Sequence, residues 1–250
     1  PLRRQRQMCI RDRDCDEIDP ETAIEYLTAE KFFTLAWQQQ QWQAWRKSKE
    51  FTAAIKLDQR FLDYKDFQDG FTYLIKSGLG SGKSFNTRQW IQDNFDWLIH
   101  NRVFFLGYRN NLLLQECEKI SHLTHIHQFA QYDSLSDPDL HAALCLDSII
   151  KFLNKPESFD GAVIILDEIV SVIKHLLFAN TEIDKYREKA ITLFVEAIKR
   201  ARLVICLDGN MADWVVEFMG GICPDKKIQT IENTYATPVS YTHLTLPTKR

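Results

Sequence analysis

Short apolar runs alternate with segments of helical spacing along the chain from Gly70 onward. Each run is followed by residues whose apolar positions recur every three or four places, as on one face of a helix. This alternation predicts an α/β fold, with a parallel sheet covered by helices on both faces. Residues 142–153 indicate a short strand that continues into a helix. The predicted strands are FTYLIKS (71–77), RVFFLGY (102–108), GAVIILDE (161–168) and RLVICLDGN (202–210), with IHQFAQY (126–132) and KIQTIENTY (227–235) as further candidates.

Residues 14–69 differ from the rest of the chain and predict a helical extension. They contain no glycine, and their single proline, Pro20, suits the first turn of a helix. Apolar residues recur there at spacings of three and four. Three tryptophans in this segment could form a stacking platform, but packing into a core is the favoured interpretation. They are Trp37, Trp42 and Trp45.

The composition is that of an ordinary globular protein. The 250 residues are 45% hydrophobic and 26% charged. No apolar run approaches the roughly 20 residues needed to span a bilayer, and no secretory signal pattern is present. The six cysteines are scattered, and Cys145 and Cys206 lie in apolar runs that predict core positions. We therefore expect a cytoplasmic protein with reduced thiols and no membrane association.

The two ends of the sequence carry an unusual relationship. One DNA string that encodes RRQRQMCIRD (3–12) has a reverse complement that encodes VSYTHLTLPT (239–248) in another frame. That string resembles a transposase-type sequencing adapter, so we expect residues 1–13 and 239–250 to be translated adapter and the natural protein to be longer. Without these ends, the charge changes from 31 − 34 = −3 to 24 − 33 = −9. The basic start of the chain is therefore no sign of a nucleic-acid-binding arm.

A glycine-rich loop, SGLGSGKS, joins the strand at 71–77 to the helix that follows. It fits the phosphate-loop pattern G-x-x-x-x-G-K-[ST] except that Ser77 replaces the first glycine. Ser77 ends the strand, and we expect Gly78 to absorb the turn. Such a loop presents backbone amides to phosphate, its lysine reaches the β- and γ-phosphates, and its serine ligates Mg²⁺. The predicted ATP and Mg²⁺ contacts are Gly78, Leu79, Gly80, Ser81, Gly82, Lys83 and Ser84.

Two acids, Asp167 and Glu168, end the apolar run AVIIL. The carboxyl ends of parallel strands are where open α/β sheets bind ligands. We expect Asp167 to hold Mg²⁺ and Glu168, with Lys83, to be catalytic, Glu168 orienting and deprotonating the attacking water. A strand that ends in two solvated acids would be the simpler explanation in a chain without a phosphate loop.

Polar residues also end the apolar run VICLDGNM (204–211). Asp208 and Asn210 would lie beside the nucleotide strand, where they could sense the γ-phosphate and couple its state to the rest of the molecule. The dipeptides Asp-Gly and Gly-Asn are equally typical of a plain turn. The residues alone leave both interpretations open.

Candidate nucleic-acid contacts follow two other strands. Tyr108, Arg109 and Asn110 come after VFFLG, where Arg and Asn suit phosphate contact and Tyr suits base stacking. Ser148 lies at the next strand–helix junction. A capped helix start with an exposed arginine is the alternative explanation for the first group.

Taken along the chain, these motifs resemble the first motor domain of superfamily 2 helicases. The phosphate loop resembles motif I, GYRNNLL motif Ia, LCLDSI motif Ib, LDE motif II and DGNM motif III. The phrase LDEIVSVIKHLL followed by the aspartate strand is similar to cyanobacterial-type plasmid replication proteins and herpesvirus-type origin-binding helicases. The resemblance covers about residues 70–235. It departs from the usual motif II at the fourth residue, where Val170 is apolar, so the polar link from motif II to motif III must differ.

The resemblance implies an ATP-dependent DNA helicase or plasmid or phage replication-initiation protein. Residues 70–238 would then form a RecA-like ATPase domain that acts on single-stranded or origin DNA. The resemblance also implies a second RecA-like domain with an arginine finger, which this sequence lacks. Alone, the chain would bind ATP weakly and not unwind DNA. A non-unwinding P-loop ATPase, such as a terminase-like motor, and a nucleotide-dependent switch or adaptor are the alternatives.

Overall fold

The computed structural model describes residues 42, 47–94, 102–120, 124–125 and 141–235. Within these residues, eight strands form one sheet in the order β1-β8-β2-β7-β6-β3-β5-β4, and every neighbouring pair is parallel. The strands are β1 (Ile55–Leu57), β2 (Phe71–Ser77), β3 (Val103–Gly107), β4 (Thr124–His125), β5 (Ala142–Cys145), β6 (Val163–Asp167), β7 (Leu203–Asp208) and β8 (Lys227–Asn233).

Helices connect the strands, as a parallel sheet requires. The α-helices of the described residues are α1 (Lys83–Asp93), α2 (Asn110–Lys119), α3 (Ile169–Phe178), α4 (Arg187–Arg200) and α5 (Asp213–Ile222). Shorter 3₁₀ helices span Leu146–Phe152, Pro156–Phe159 and Glu182–Tyr186. The predicted α/β fold with a phosphate loop after its first long strand is confirmed.

Successive residues of the central strands enter two separate cores. Leu74 and Phe104 pack with residues of α3, α4 and α5, whereas Tyr73 and Phe105 pack with residues of α1 and α2. Both faces of the sheet are therefore covered, which explains why the central strands are apolar at almost every position. Cys145 and Cys206 are buried as expected.

The strand register brings the polar ends of the strands to one edge. Lys76 of β2 pairs with Asp208 of β7, and Asp167 of β6 pairs with Leu207. β3 continues the same edge beside β6, and Gly107 at its end pairs with Cys145 of β5. We call this the strand-tip edge. It carries the ends of β2, β7, β6, β3 and β5.

The expected helix over residues 14–69 is wrong for the part that the structure describes. Residues 47–69 are extended or turn-like, and they include β1, whose Ile55 pairs with Ile231 of β8. The free edge of β8 offers backbone partners that outweigh helical spacing, and the Ala54 amide donates to the Thr230 carbonyl at 3.1 Å. The sheet thus begins before the boundary predicted at residue 70.

Other expectations in the first part of the chain have mixed outcomes. Trp42 is 8% exposed and contacts the rings of Phe178 and Trp214, which confirms the core interpretation for this tryptophan. The segment after β5 is helical as predicted, in the form of a 3₁₀ helix. The expectations for residues 1–41 and 236–250, for the candidate strand at 126–132 and for the other two tryptophans fall outside the described residues.

Candidate functional site

The phosphate loop lies at the strand-tip edge between β2 and α1. Ser77 is the last residue of β2, and Gly80 and Gly82 adopt left-handed backbone conformations with φ of 73° and 78°. Glycine takes this conformation without steric cost, so the motif's glycines allow the loop to bend. Gly78, expected to absorb the turn, does not have a positive φ. The substitution at Ser77 is accommodated within the strand.

The Lys83 side chain folds back onto two backbone carbonyls at the start of the phosphate loop. Its Nζ donates to the Ser77 carbonyl at 2.7 Å and to the Gly78 carbonyl at 2.9 Å. Burial lowers the pKa of Lys83, while Asp167, Asp208 and Glu168 oppose that shift. The ammonium group is therefore held where a phosphate chain in the loop would meet it, and a phosphate would replace the two neutral acceptors with a charged one.

Ser84 and Asp167 meet across the loop. The Ser84 hydroxyl donates to Oδ2 of Asp167 at 2.9 Å, although the residues are 83 positions apart. Burial raises the pKa of Asp167, and the Ser84 hydroxyl and Lys83 only partly offset this. A hydroxyl and a carboxylate side by side suit Mg²⁺, which takes few protein ligands and completes its shell with phosphate and water. Among the described residues, no group of three or more His, Cys, Asp or Glu could hold a metal ion.

Glu168 directly follows β6 and is exposed, whereas Asp167 is half-buried. The backbone of Glu168 is left-handed, with φ 57° and ψ 54°. The Tyr108 hydroxyl donates to Oε2 of Glu168 at 2.6 Å. The candidate base is thus solvent-accessible and already hydrogen-bonded to a candidate nucleic-acid residue.

Asp208 connects the ends of β7 and β6. Its two carboxylate oxygens accept from the Asn210 amide at 2.7 Å and from the Val170 amide at 2.9 Å. Burial raises the pKa of Asp208 despite these two bonds. The polar link between the motif II-like and motif III-like segments therefore runs through the backbone of Val170, which explains how an apolar side chain fits there. Asn210 itself is exposed.

The candidate nucleic-acid residues are only partly brought together. Tyr108 is half-buried, Arg109 is exposed, and the Arg109 guanidinium lies over the Tyr108 ring at 4.9 Å from its centroid. Asn110 begins α2, and its buried Oδ1 has no hydrogen-bond partner within the described structure. Ser148 is 6% exposed, so the expectation that it contacts a nucleic-acid strand is not supported by its position. It faces inward because it lies within the 3₁₀ helix that packs on the core.

Sequence reasoning missed a polar cluster around Asp147. This carboxylate accepts from the Thr181 hydroxyl, from the Ile183 amide at 3.1 Å and from Nε2 of His175 at 3.2 Å. Although burial acts to raise it, these donors lower the pKa of Asp147 overall. The partners come from α3 and the segment after it, and no short motif carries such a pairing. The cluster fixes the end of β5 to α3.

A cavity beside the phosphate loop was also missed. It has a volume of about 420 Å³. Two exposed aromatic side chains line it, Phe61 at 60% and Phe85 at 59% exposure. Residues before β2 are fastened to the loop there, because the Leu62 amide donates to the Ser81 carbonyl at 2.7 Å. The other lining residues are Leu62, Asp63, Lys65, Gly82, Asn86 and Gln89. Only the density of aromatic residues upstream of the loop could have indicated it.

The family model for the origin of replication binding protein matches residues 146–243. The match begins just after β5 and includes the segments that resemble motifs II and III. It confirms the resemblance to origin-binding helicases over that part of the chain. The phosphate loop lies before the matched residues. A comparison with curated proteins finds no match.

Three solved structures to which this chain is similar are helicases. The DEAD-box helicase Mss116 bound to single-stranded RNA and UDP-BeF has a TM-score of 0.48 and 15% identity, over 69% of this chain and 38% of that one. The Pyrococcus furiosus Hef helicase domain has a TM-score of 0.45 and 15% identity, over 68% and 36%. The UvsW helicase from bacteriophage T4 has a TM-score of 0.42 and 11% identity, over 64% and 54%. The chain thus spans between 36% and 54% of the length of these structures.

No helix of the described residues is both long enough and apolar enough to cross a membrane.

Proposed function

We propose that this chain contains the first motor domain of an ATP-dependent DNA helicase that acts in replication initiation. The observation that carries the proposal is the 2.9 Å contact between the Ser84 hydroxyl and the Asp167 carboxylate, with Glu168 as the next residue. A phosphate loop joined to a strand-end acid pair is the arrangement that nucleotide hydrolysis requires. The family match and the strand-tip residues that could meet a nucleic-acid strand support the coupling of this hydrolysis to DNA.

In the proposed reaction, backbone amides of the loop and the Lys83 ammonium hold the β- and γ-phosphates of ATP. Ser84 and Asp167 would hold a Mg²⁺ ion, which supplies charge neutralisation for the phosphates. Glu168 accepts a proton from the water that attacks the γ-phosphorus, and ADP leaves with the electron pair of the broken bond. Asp208, at the end of β7, accepts a hydrogen bond from the Val170 amide at the start of α3. A displacement of α3 caused by the γ-phosphate would therefore be transmitted to β7 through this bond.

The base of the nucleotide would occupy the cavity beside the loop. Phe61 lies 3.7 Å from where a Cβ on Gly82 would be, so an aromatic face lies directly next to the phosphate cradle. Exposure of two aromatic rings to water beside a polar loop is unfavourable, and a planar ligand that stacks on them would remove this cost. The cavity's 420 Å³ is within the range of small-molecule sites.

The proposal is tested on the full-length protein by comparing ATP hydrolysis with and without single-stranded DNA. We expect DNA to stimulate hydrolysis, and we expect Glu168→Gln to reduce the rate roughly a hundredfold or more because the proton acceptor is lost. Binding of a non-hydrolysable ATP analogue should persist in this variant. Glu217→Gln, which changes an exposed glutamate on α5, is the matched control and should hydrolyse ATP normally.

Two results would assign a different function. A full-length protein whose ATPase rate ignores single-stranded DNA is not a DNA helicase, and a terminase-like motor would then be tested with duplex DNA. A protein that binds ATP without hydrolysing it, with or without DNA, would be a nucleotide-dependent switch. Wild-type hydrolysis in Glu168→Gln would contradict the assignment of the base alone.

A further inference from the structure

The Tyr108 hydroxyl is hydrogen-bonded to Glu168, the carboxylate that the proposed reaction needs as its base. Its 2.6 Å hydrogen bond to Oε2 of Glu168 joins two residues 60 positions apart, one after β3 and one after β6. Burial raises the pKa of Tyr108, and the bond to Glu168 adds to that shift. The hydroxyl therefore stays protonated and donates at neutral pH. One oxygen of the Glu168 carboxylate is thus already occupied by a hydrogen bond within the protein.

The hydrogen bond restricts where the Glu168 carboxylate can reach. A short hydrogen bond to a charged acceptor is among the stronger ones in proteins. It fixes the direction in which Glu168 points. A general base must instead reach the attacking water within hydrogen-bond distance. Release of the Tyr108 hydroxyl would free Glu168 to turn toward that water.

Tyr108 also forms part of the surface that a nucleic-acid strand would touch. The exposed Arg109 guanidinium lies 4.9 Å from the centre of the Tyr108 ring. The ring's inner neighbour is His175, whose ring centroid is 6.0 Å away and whose Nε2 lies 3.2 Å from Asp147. His175 is thus held by the Asp147 cluster, whereas Arg109 is free to follow a phosphate and leave the ring open to a base.

We propose that Tyr108 is a positioning residue that restrains Glu168 until a nucleic-acid strand engages Arg109 and Tyr108 and withdraws the hydroxyl. This inference rests on the proposed function and deepens it, since it assigns the nucleic-acid dependence of ATP hydrolysis to one hydrogen bond. The device needs no long-range pathway. The residue that senses the strand and the residue that takes the proton are in direct contact.

The test is Tyr108→Phe in the full-length protein, which removes the hydroxyl and keeps the ring. We expect the ATPase rate without DNA to rise about tenfold, the effect of losing one charge-assisted hydrogen bond. The rate at saturating single-stranded oligothymidine should equal that of the wild type, because the hydroxyl has already left Glu168 in that state. Affinity for a non-hydrolysable ATP analogue should not change. Tyr186→Phe, at an exposed tyrosine, is the matched control and should behave as wild type.

Two results would overturn the inference and leave the proposed function intact. One is a DNA-stimulated wild type whose Tyr108→Phe variant keeps the same rate without DNA. The other is a variant that loses rate equally with and without DNA, which would make the hydroxyl an aid to catalysis. A wild-type protein that DNA does not stimulate would instead contradict the proposed function itself.

Discussion

The strand-tip edge has two halves that are built in different ways. At the ends of β2, β6 and β7, the site consists of a bent backbone and carboxylates with few protein donors, such as Asp167 with the Ser84 hydroxyl and its neighbour's amide. At the ends of β3 and β5, side chains from distant segments satisfy one another. Asp147 there accepts from a hydroxyl, an amide and an imidazole. The two kinds of carboxylate thus differ in how many hydrogen bonds they already accept from the protein. Asp167 accepts few and has capacity for a ligand, whereas Asp147 accepts several that hold the fold together.

The direction of each pKa shift follows the same division. Burial raises the pKa of Asp167 and Asp208, because their few donors do not replace the water they lost. Asp147 is also affected by burial, but its donors lower its pKa overall. Ionisation of Asp167 is therefore costly in the folded chain, whereas an ionised Asp147 stabilises it.

The largest effect is expected from removing the cation of the nucleotide half. Lys83→Ala should weaken binding of MgATP and slow its hydrolysis on the order of a hundredfold or more, because the charge that meets the β- and γ-phosphates is lost. Binding is measured by calorimetry or with a fluorescent ATP analogue on the full-length protein. Lys189→Ala, at an exposed position on α4, is the control. Equal losses in both variants would remove Lys83 from the site.

Two Asp→Asn variants should affect the free energy of unfolding differently. Asp147→Asn should lower the free energy of unfolding by about 1–3 kcal/mol, because a hydroxyl, an amide and an imidazole lose a charged acceptor. Asp167→Asn should leave it unchanged or raise it in the absence of nucleotide, because a buried charge is removed. Urea unfolding at pH 7 measures both. Asp160→Asn, in a surface ion pair with Arg200, should cost at most about 1 kcal/mol. A loss in Asp167→Asn as large as that in Asp147→Asn would abolish the distinction.

The pH dependence of stability should repeat this contrast. The folded pKa of Asp147 lies below the ordinary value of 3.8, so its contribution is present above 3.8 and is lost as the pH falls. The gap between wild type and Asp147→Asn should therefore close in acid. The folded pKa of Asp167 lies above 3.8, so the contribution of its protonated form is present below 3.8 and is lost as the pH rises through the folded pKa. Wild type and Asp167→Asn should therefore have a constant difference below 3.8, and this difference should change as the pH rises from 3.8 to the folded pKa.

The smallest effect is expected at the exposed arginine of the other half. Arg109→Ala should weaken binding of single-stranded DNA and reduce the slope of log affinity against log salt by about one unit. Lys227→Ala is a close control, because Lys227 lies over the Phe71 ring at 5.5 Å, beside the amino ends of the strands on the opposite edge. The slope is measured on the full-length protein. An unchanged salt dependence in Arg109→Ala would mean that Arg109 does not contact DNA and is only an exposed residue at the start of a helix.

The sequence predicted those parts of the fold that depend on local pattern. The apolar runs of β6 and β7 and the loop before Lys83 are each readable within about ten residues, because burial and backbone bending are set locally there. The contact of Asp167 with Ser84 could also be anticipated, since both follow parallel strands whose ends share an edge.

The rest depends on partners that are far apart in sequence. β1 has helical spacing, and only the exposed edge of β8 makes Ile55–Leu57 a strand. The bonds from His175 and Thr181 to Asp147 join a strand end to residues 28 and 34 positions away. Nothing in the order of residues specifies which of several acids receives those donors. The same holds for the Tyr108 bond to Glu168, which requires the adjacency of β3 and β6.

The left-handed backbone of Glu168 also bears on any attempt to make this protein more heat-resistant. A side chain other than glycine at φ 57° costs on the order of 1–3 kcal/mol, and asparagine tolerates that conformation better than glutamate. A screen that rewards thermal stability would therefore favour Glu168→Asn and discard the proposed proton acceptor. Selection for durability and selection for turnover would act in opposite directions at this one position.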